Sequence, residues 1–471
     1  FPNPMYHQLG IDTGGTYTDA VLVDENKTVV AKNKSLTTAF DLTVGIGNAI
    51  ASLPEDLLQT VNLVALSTTL STNSVVEGRG APVCVLLPGY NESQVEKSGL
   101  TGILERDQVV LLTGGHTAIG AEQEPLDLEL AREAILARKD QVSAFAVSSL
   151  FGIRNSSHEL ALRELVIELT GKPVACGHEL ASSLGAPRRA LTAALNARMI
   201  LYIQELITSV ESILQQRAIS APLMIVKGDG SLVNAETALL QPVATVLSGP
   251  AASVIGACAL SGRQDAVVVD IGGTTTDIAI VTDGRPELCA DGARIGDWQP
   301  MVEAIRVFSI GLGGDSEIRF RGGIDISQRR VVPMSLLAHQ HPGVLSCLER
   351  QFAAAPSPRN NRFALRLQRN EVLLRQLGDV EREAWEQLGE GPVELESLAD
   401  GNRAMMRAIA RLERLGLVIY SGFTPSDATH VLGMSDHWSR EAAEVGARIW
   451  ARQMRLLYGC GNWEVGDAVE P

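Results

Sequence analysis

Cysteine is scarce and never closely paired: six occur, at 84, 176, 258, 289, 347 and 460, and no two form a C-x-x-C. This argues against a zinc ribbon, a thioredoxin-type pair and a disulfide framework, and leaves reduced thiols as the expectation. No apolar run approaches the roughly 18 residues needed to cross a bilayer. The opening Phe1-Pro2-Asn3-Pro4-Met5 lacks a secretory pattern, so a cytoplasmic location is expected. Basic residues are in deficit: 40 Lys and Arg against 55 Asp and Glu give a net charge of −15. Such a field repels nucleic acid and anionic membrane surfaces, and neither is an expected partner. The phosphate-binding sequence G-x-x-x-x-G-K-[ST] is also missing.

What is present is a chain of 471 residues, 45% hydrophobic and 20% charged. At about 100–200 residues per domain, that fits two to four globular domains. The opening reads Leu9-Gly10-Ile11, then Asp12-Thr13-Gly14-Gly15-Thr16, then Ala20-Val21-Leu22-Val23: strand, tight turn, strand. Strands at 83–87 and 144–148 and helices at 128–139 and 157–170 follow. Ser156 or Ser157 is the expected N-cap of the second helix, with Gly171 just past its end. Leu191, Leu195, Met199, Ile203, Leu206, Val210 and Ile213 recur at helical spacing and predict one long helix over 188–217. The mixture is α/β.

Residues 266–281 repeat the opening. Asp12, Gly14, Gly15, Thr16, Thr18, Asp19 and Val23 correspond to Asp270, Gly272, Gly273, Thr274, Thr276, Asp277 and Val281, every pair 258 residues apart. A repeat this long reads as two domains of related fold, each opening on the same hairpin. A Gly-Gly turn lets backbone N–H groups approach an anion with no Cβ in the way, and threonine hydroxyls add donors. An aspartate closing the first strand can hold Mg²⁺ through waters. Two such turns facing each other would grip the phosphates of a nucleotide from both sides.

From 329 to 420 the composition changes: Arg and Glu rise and Gly-Gly disappears. Residues 356–361 read as a loop. Beyond 381 the order is a helix, a short helix at 394–399, a longer helix at 402–415 and a strand at 417–420. Met405, Met406, Ile409, Leu412 and Leu415 are expected to face its core. The order is either that of a winged helix or that of a small helical insertion packed on the main body.

Paired phosphate hairpins resemble the actin/Hsp70/sugar-kinase ATPase superfamily. Within it, several stretches resemble the A subunit of the hydantoinase/oxoprolinase family. These are residues 11–19, 67–77, 226–232, 248–257, 270–277 and 309–316, with an isolated match at 423–433. The resemblance implies two related actin-like ATPase domains (ribonuclease H-like, with mixed sheets) around a nucleotide cleft, plus a small mainly helical region. The expected domains are 1–185, then 186–330 completed by 421–471, with 331–420 as the insertion.

The family uses ATP to open cyclic amides such as 5-oxoproline and hydantoins, and relatives activate ketones for carboxylation. By resemblance, Asp12 and Asp270 arrange Mg²⁺ and the transferred phosphoryl group. Thr13, Gly14, Gly15 and Thr16, with Gly272, Gly273, Thr274 and Thr275, hold the phosphates of ATP. The turn at Gly311, Gly313 and Gly314 either passes close to the adenosine or is a plain strand-to-helix turn. Thr68, Thr69, Thr72 and Asn73 form a polar patch that either binds the substrate or caps a helix. Lys227 and Asp229 belong to a solvated turn or to the site, and His430 and Asp427 are polar site groups or structural ones. The expected substrate is a small cyclic amide or related carbonyl compound, with a B-type subunit as partner. Two further classes stay open: a nucleotide-switched activator, and a small-molecule kinase.

The chain departs from the family where Asp315 stands in place of a third glycine and where Arg306-Val307-Phe308 replaces Asp-x-His. Strand alternation puts Arg306 and Phe308 on one face, both lining the cleft or both turned from it. Asp315 would repel a phosphate unless Mg²⁺ or a cation such as Arg306 neutralises it.

Overall fold

A computed structural model describes residues 6–14, 17–36, 42–69, 72, 80–273, 275–289, 291–367, 374, 377–398, 403–415 and 417–469. Ten strands come first: β1 (His7–Thr13), β2 (Tyr17–Val23), β3 (Val29–Leu36), β4 (Val61–Thr68), β5 (Val83–Pro88), β6 (Val109–Leu112), β7 (Ala144–Val147), β8 (Val174–Cys176), β9 (Leu223–Val226) and β10 (Leu232–Asn234). They build two sheets. The first runs β10-β9-β4-β1-β2-β3. In it β1, β2 and β3 are antiparallel to one another, while β4 runs parallel to both β1 and β9. Three antiparallel strands followed by two parallel ones give the mixed ribonuclease H-like sheet. The second sheet, β6-β5-β7-β8, is all parallel.

The long helix α1 (Ala186–Gln216) follows the expected span, and all seven of its periodic apolar residues are buried. Its Ile203, Leu206, Val210 and Ile213 pack with Leu9, Leu22 and Leu66 of the first sheet. Its Ala190, Ala193, Ala194 and Ala197 pack with Val83, Val85 and Ala146 of the second. The helix therefore contributes to two separate cores, one on each sheet. Helix α2 (Ser248–Ser261) comes later in the same part of the chain. The helix Ser157–Thr170 ends as expected, on Gly171 in the left-handed region at φ 66°. Its start differs: neither serine caps it, and the Asn155 side chain accepts from Ser157 N–H at 3.0 Å.

The remaining strands are β11 (Ala266–Ile271), β12 (Thr276–Thr282), β13 (Arg285–Pro286), β14 (Val307–Ile310), β15 (Ser316–Phe320), β16 (Ile324–Arg330), β17 (Val332–Pro333), β18 (Phe363–Arg366), β19 (Val393–Glu394) and β20 (Val418–Gly422). Helices α3 (Met334–Gln340), α4 (Asp379–Leu388), α5 (Leu395–Leu398), α6 (Arg403–Arg414), α7 (Pro425–Val431) and α8 (Arg440–Leu456) accompany them. β15 and β16 form a pair, and β17-β20-β18-β19 form a four-stranded sheet. On that sheet Trp385, Leu388, Met405, Ile409 and Leu412 pack with Val418 and Tyr420. Met406 is only partly buried and Leu415 is 38% exposed, so the apolar stripe of α6 is narrower than its letters suggested.

The chain divides into two compact units. One comprises 1–268 and 278–308, the other 269–277 and 309–471. The expected break at 185 falls immediately before α1, whose packing on both sheets keeps it in the first unit. All six cysteines are free. Among the described residues, no helix is long and apolar enough to cross a membrane.

Candidate phosphate hairpins and active site

In the first unit, the parallel register of β1 and β4 sets Asp12 opposite Ser67 and Thr13 opposite Thr68. Ser67 Oγ donates to Asp12 Oδ1 at 2.6 Å, which fixes the carboxylate at the strand's end. The turn after Thr13 closes with Gly14 N–H donating to the Tyr17 carbonyl at 2.9 Å. Thr13 is fully buried; its carbonyl accepts from Thr69 N–H at 3.1 Å, and its own Oγ1 is buried with no hydrogen-bond partner. Thr69 Oγ1 is likewise buried and without a partner.

Helix α2 begins against this corner. Ser248 Oγ donates to the Thr68 carbonyl at 2.9 Å, and Thr72 Oγ1 accepts from Leu247 N–H at 2.9 Å. Leu247 sits in the left-handed region at φ 63°, and no side chain caps the helix. A Cβ on Gly249 would lie 2.9 Å from Thr69 Cγ2 and 3.9 Å from Asp12 Oδ1. The tight neighbour is the Thr69 methyl, which a side chain at 249 would have to displace, while the aspartate lies at ordinary contact distance. A helix N-terminus carries uncapped N–H groups and a partial positive charge. Here it meets the Asp12 carboxylate and Thr69, whose hydroxyl has no partner.

The second hairpin repeats the first in hydrogen bonding as well as in sequence. Gly272 N–H donates to the Thr275 carbonyl at 2.8 Å, and both residues are 258 positions beyond Gly14 and Tyr17. Asp277 accepts from Ser309 Oγ. Burial raises the Asp277 carboxyl above its ordinary value, and the nearby Asp270 adds to the rise against the pull of Ser309 and Thr275.

The Gly-rich turn packs directly on this hairpin. Gly314 N–H donates to the Gly272 carbonyl at 2.9 Å, Asp315 N–H to the Gly273 carbonyl at 2.8 Å, and Thr276 Oγ1 to the Leu312 carbonyl at 2.7 Å. A Cβ on Gly313 would sit 2.6 Å from the carbonyl oxygens of Gly272 and Gly273, so the close approach there requires glycine. Asp315 is buried beside Gly273, accepts from Ser426 Oγ at 3.1 Å, and has its carboxyl raised by burial. The cation beside it is Arg330, at 3.8 Å. Arg306 instead pairs with Glu287 at 3.7 Å, and both Arg306 and Phe308 are exposed.

Other sequence candidates have structural partners. Thr68 Oγ1 donates to the Thr13 carbonyl at 3.4 Å. Asp427 is fully buried and takes five hydrogen bonds from Met334, Ser335 and Thr424. The ring of His430 stacks on Trp438, with Nδ1 2.7 Å from the Ser426 carbonyl. Lys227 pairs with Asp229 at 3.0 Å in a turn that Ser231 closes. Lys227 also lines a cavity of about 490 Å³ with Arg188, Asp291 and Glu303, which no local pattern had announced. Gly15, Thr16, Asn73 and Thr274 lie outside the described residues.

Sequence reasoning also missed a cluster at the ends of β7 and β8. Glu159, Cys176 and His178 bring ligand-type atoms within 4.8 Å of one another. Their atoms already serve each other and the backbone. Glu159 accepts from Ser149 N–H and His178 N–H at 2.8 and 2.9 Å, and His178 Nδ1 lies 2.7 Å from its Oε2. Burial raises the Cys176 thiol to about 12, so it keeps its proton. The cluster clamps the start of the helix Ser157–Thr170 to the chain just past β7 and β8.

Comparison with known proteins fits this geometry. The hydantoinase/oxoprolinase N-terminal region matches residues 8–170, and the hydantoinase/oxoprolinase domain matches 189–350. The caprolactamase subunit alpha of Pseudomonas jessenii is 27% identical over 341 residues, 66% of this chain and 48% of that protein. The acetophenone carboxylase gamma subunit of Aromatoleum aromaticum is 25% identical over 348 residues, 66% of this chain and 47% of that protein. The chain thus spans about half the length of these relatives. The nucleotide-free structure of acetone carboxylase aligns over 99% of this chain and 60% of its own, with a TM-score of 0.62 at 18% identity. The ATP-dependent caprolactamase of P. jessenii aligns over 93% and 67%, with a TM-score of 0.58 at 23% identity. The fold is therefore the actin-like α/β fold with mixed sheets, and the chain belongs to the hydantoinase/oxoprolinase family.

Proposed function

We propose that this chain uses ATP to activate the carbonyl of a small cyclic amide, or of a related carbonyl compound, for ring opening or addition. The observation that carries the reading is the duplicated hairpin, with the same turn bond recurring 258 residues on. A lactam carbonyl is a poor electrophile, and ATP supplies the phosphoryl group that makes its oxygen a leaving group. The protein's task is then positioning and charge neutralisation. Ser67 holds Asp12 in one orientation, and the positive end of α2 stands beside it at Gly249. The unpartnered hydroxyls of Thr13 and Thr69 are donors available to an anion, with Gly14 and Gly272 shaping the two turns. Thr72 secures the start of α2.

An oxygen-only carboxylate at a strand end, beside a free hydroxyl, suits a hard cation. Asp12 and Asp270 would hold Mg²⁺, which would offset phosphate charge. Because the relatives named above are subunits and this chain spans about half of each, a B-type subunit is proposed as partner for complete turnover. The test is an ATPase assay with Mg²⁺ across lactams, hydantoins and small ketones, with and without a candidate second subunit. Hydrolysis stimulated by one of these compounds is expected; hydrolysis indifferent to all of them would overturn the reading.

A further inference from the structure

The second unit contains a cavity of about 380 Å³ that none of the hairpin residues lines. One wall is cationic. Glu317, with its side chain only 4% exposed, is shared by three guanidinium groups: Arg319 Nε and Arg362 Nη2 at 2.6 Å each, and Arg329 Nη1 at 3.6 Å. Arg329 also binds Glu413, and Arg321 completes the rim. Four guanidinium groups thus line a cavity whose wall holds one carboxylate, in a chain whose net charge is −15. Asp325 faces Arg319 across the β15–β16 pair but is not part of the wall. The Nε of Arg362 is buried with no acceptor at all. Glu317 alone does not saturate the donors around it, since each guanidinium carries five.

Aromatic residues also line the cavity. Phe320 stacks on Tyr458 with ring centroids 4.6 Å apart, and Trp450 and Phe423 lie beside them. The guanidinium carbons of Arg329 and Arg362 lie 4.5 and 5.8 Å from the centre of the Tyr420 ring. The side chains of Arg319, Arg329 and Arg362 stay 22%, 28% and 30% exposed, and with only Glu317 and Glu413 as carboxylate partners they keep donors to spare. Planar guanidinium forks suit the two-oxygen edge of a carboxylate or phosphate.

We propose that this cavity is a binding site for a small organic anion: a carboxylate or phosphate head held by Arg319, Arg329 and Arg362, with an aromatic or aliphatic body against Phe320, Tyr458 and Trp450. The site uses no residue of the nucleotide hairpins, so it stands or falls independently of the ATP reading. Its ligand needs both parts, since inorganic phosphate would leave the aromatic residues uncovered and a neutral ring would leave the arginines unsatisfied.

The experiment is calorimetric titration of the full chain with benzoate, phenyl phosphate, inorganic phosphate and neutral benzamide. Saturable binding of benzoate or phenyl phosphate at millimolar concentration or tighter is expected, with benzamide and inorganic phosphate at least about ten-fold weaker. The tighter of the two organic anions identifies the head group. Arg362→Gln would leave Glu317 less well paired, so it is made both alone and with Glu317→Gln, and circular dichroism checks each fold. Arg319→Lys keeps the charge but removes the fork. Each folded variant is expected to lose about ten-fold or more in anion affinity. Absence of binding by both organic anions, equal binding of benzamide, or unchanged affinity in every folded variant would overturn the proposal.

Discussion

Asp12 and Asp270 occupy the same place in two copies of one hairpin, and the ATP reading gives both a part in phosphoryl transfer. Both are partly exposed, so replacing either removes charge without opening a core cavity. Asp12→Ala and Asp270→Ala are each expected to lower ATP turnover by about a hundred-fold or more while leaving the circular dichroism spectrum intact. Turnover near wild type in either variant would exclude that aspartate. Asp277 makes a second test, through pH. Its carboxyl is raised by burial first and by Asp270 next, from an ordinary value of 3.8. The native state therefore holds this proton to higher pH than the unfolded chain does. The contribution is fully present below 3.8 and is lost as pH rises through the raised value. Asp277→Asn keeps an acceptor for Ser309 but does not titrate. Its stability relative to wild type is expected to increase as pH rises from about 4, read as the difference in urea midpoints. A difference that stays constant with pH would show that Asp277 titrates normally. At this level the sequence was generous: two glycine-rich turns in register exposed both hairpins. It was silent on the pairing of Ser67 with Asp12 and of Arg330 with Asp315, because each depends on strand register, β1 against β4 and β15 against β16, which the letters alone do not set.

Helices were more legible than short strands. The long helix α1 declared itself because seven apolar residues recur on one face, and all seven are buried. Strand β18, only four residues long, was not foreseen; it exists because Ala364, Leu365 and Arg366 pair with Tyr420, Ile419 and Val418. Such pairing spans more than fifty positions and leaves no local signal. Asp427 shows how such elements are tied together. Lying in a capping box at the start of α7, it also accepts from the first residues of α3, with Ser335 N–H and Oγ at 2.8 and 2.7 Å. Its sequence context left a site role and a structural role open, and the five donors around it describe a knot between two helix starts. Asp427→Ala would strand those donors in a dry environment, and unsatisfied buried groups cost about 1–3 kcal/mol each. With partial relaxation, a loss of about 3 kcal/mol in unfolding free energy is expected. A loss below about 1 kcal/mol would mean that water replaces the carboxylate without penalty.

The division into two units has consequences for unfolding. Each unit has its own hydrophobic cores: the sheets around α1 in one, and the sheets carrying α4, α6 and α8 in the other. Cores of this kind melt as separate cooperative blocks, so calorimetry is expected to resolve two transitions. Trp298 belongs to the first unit and Trp385 and Trp450 to the second, which lets single-tryptophan variants assign each transition by fluorescence. A ligand stabilises whatever must be folded to bind it, by about 2.7 kcal/mol at a hundred-fold excess over Kd, and so raises its melting temperature. The turn at Asp12 belongs to the first unit and the turn at Asp270 to the second. If ATP depends on both turns, Mg²⁺-ATP must raise both transitions by a few degrees, and Asp270→Ala must weaken the shift of both together, because binding itself is impaired. If only the Asp12 turn holds the nucleotide, the first transition moves alone and Asp270→Ala leaves its shift unchanged. The duplicated hairpin predicts the first outcome; the second would reduce the repeat to shared ancestry and confine the nucleotide to the first unit.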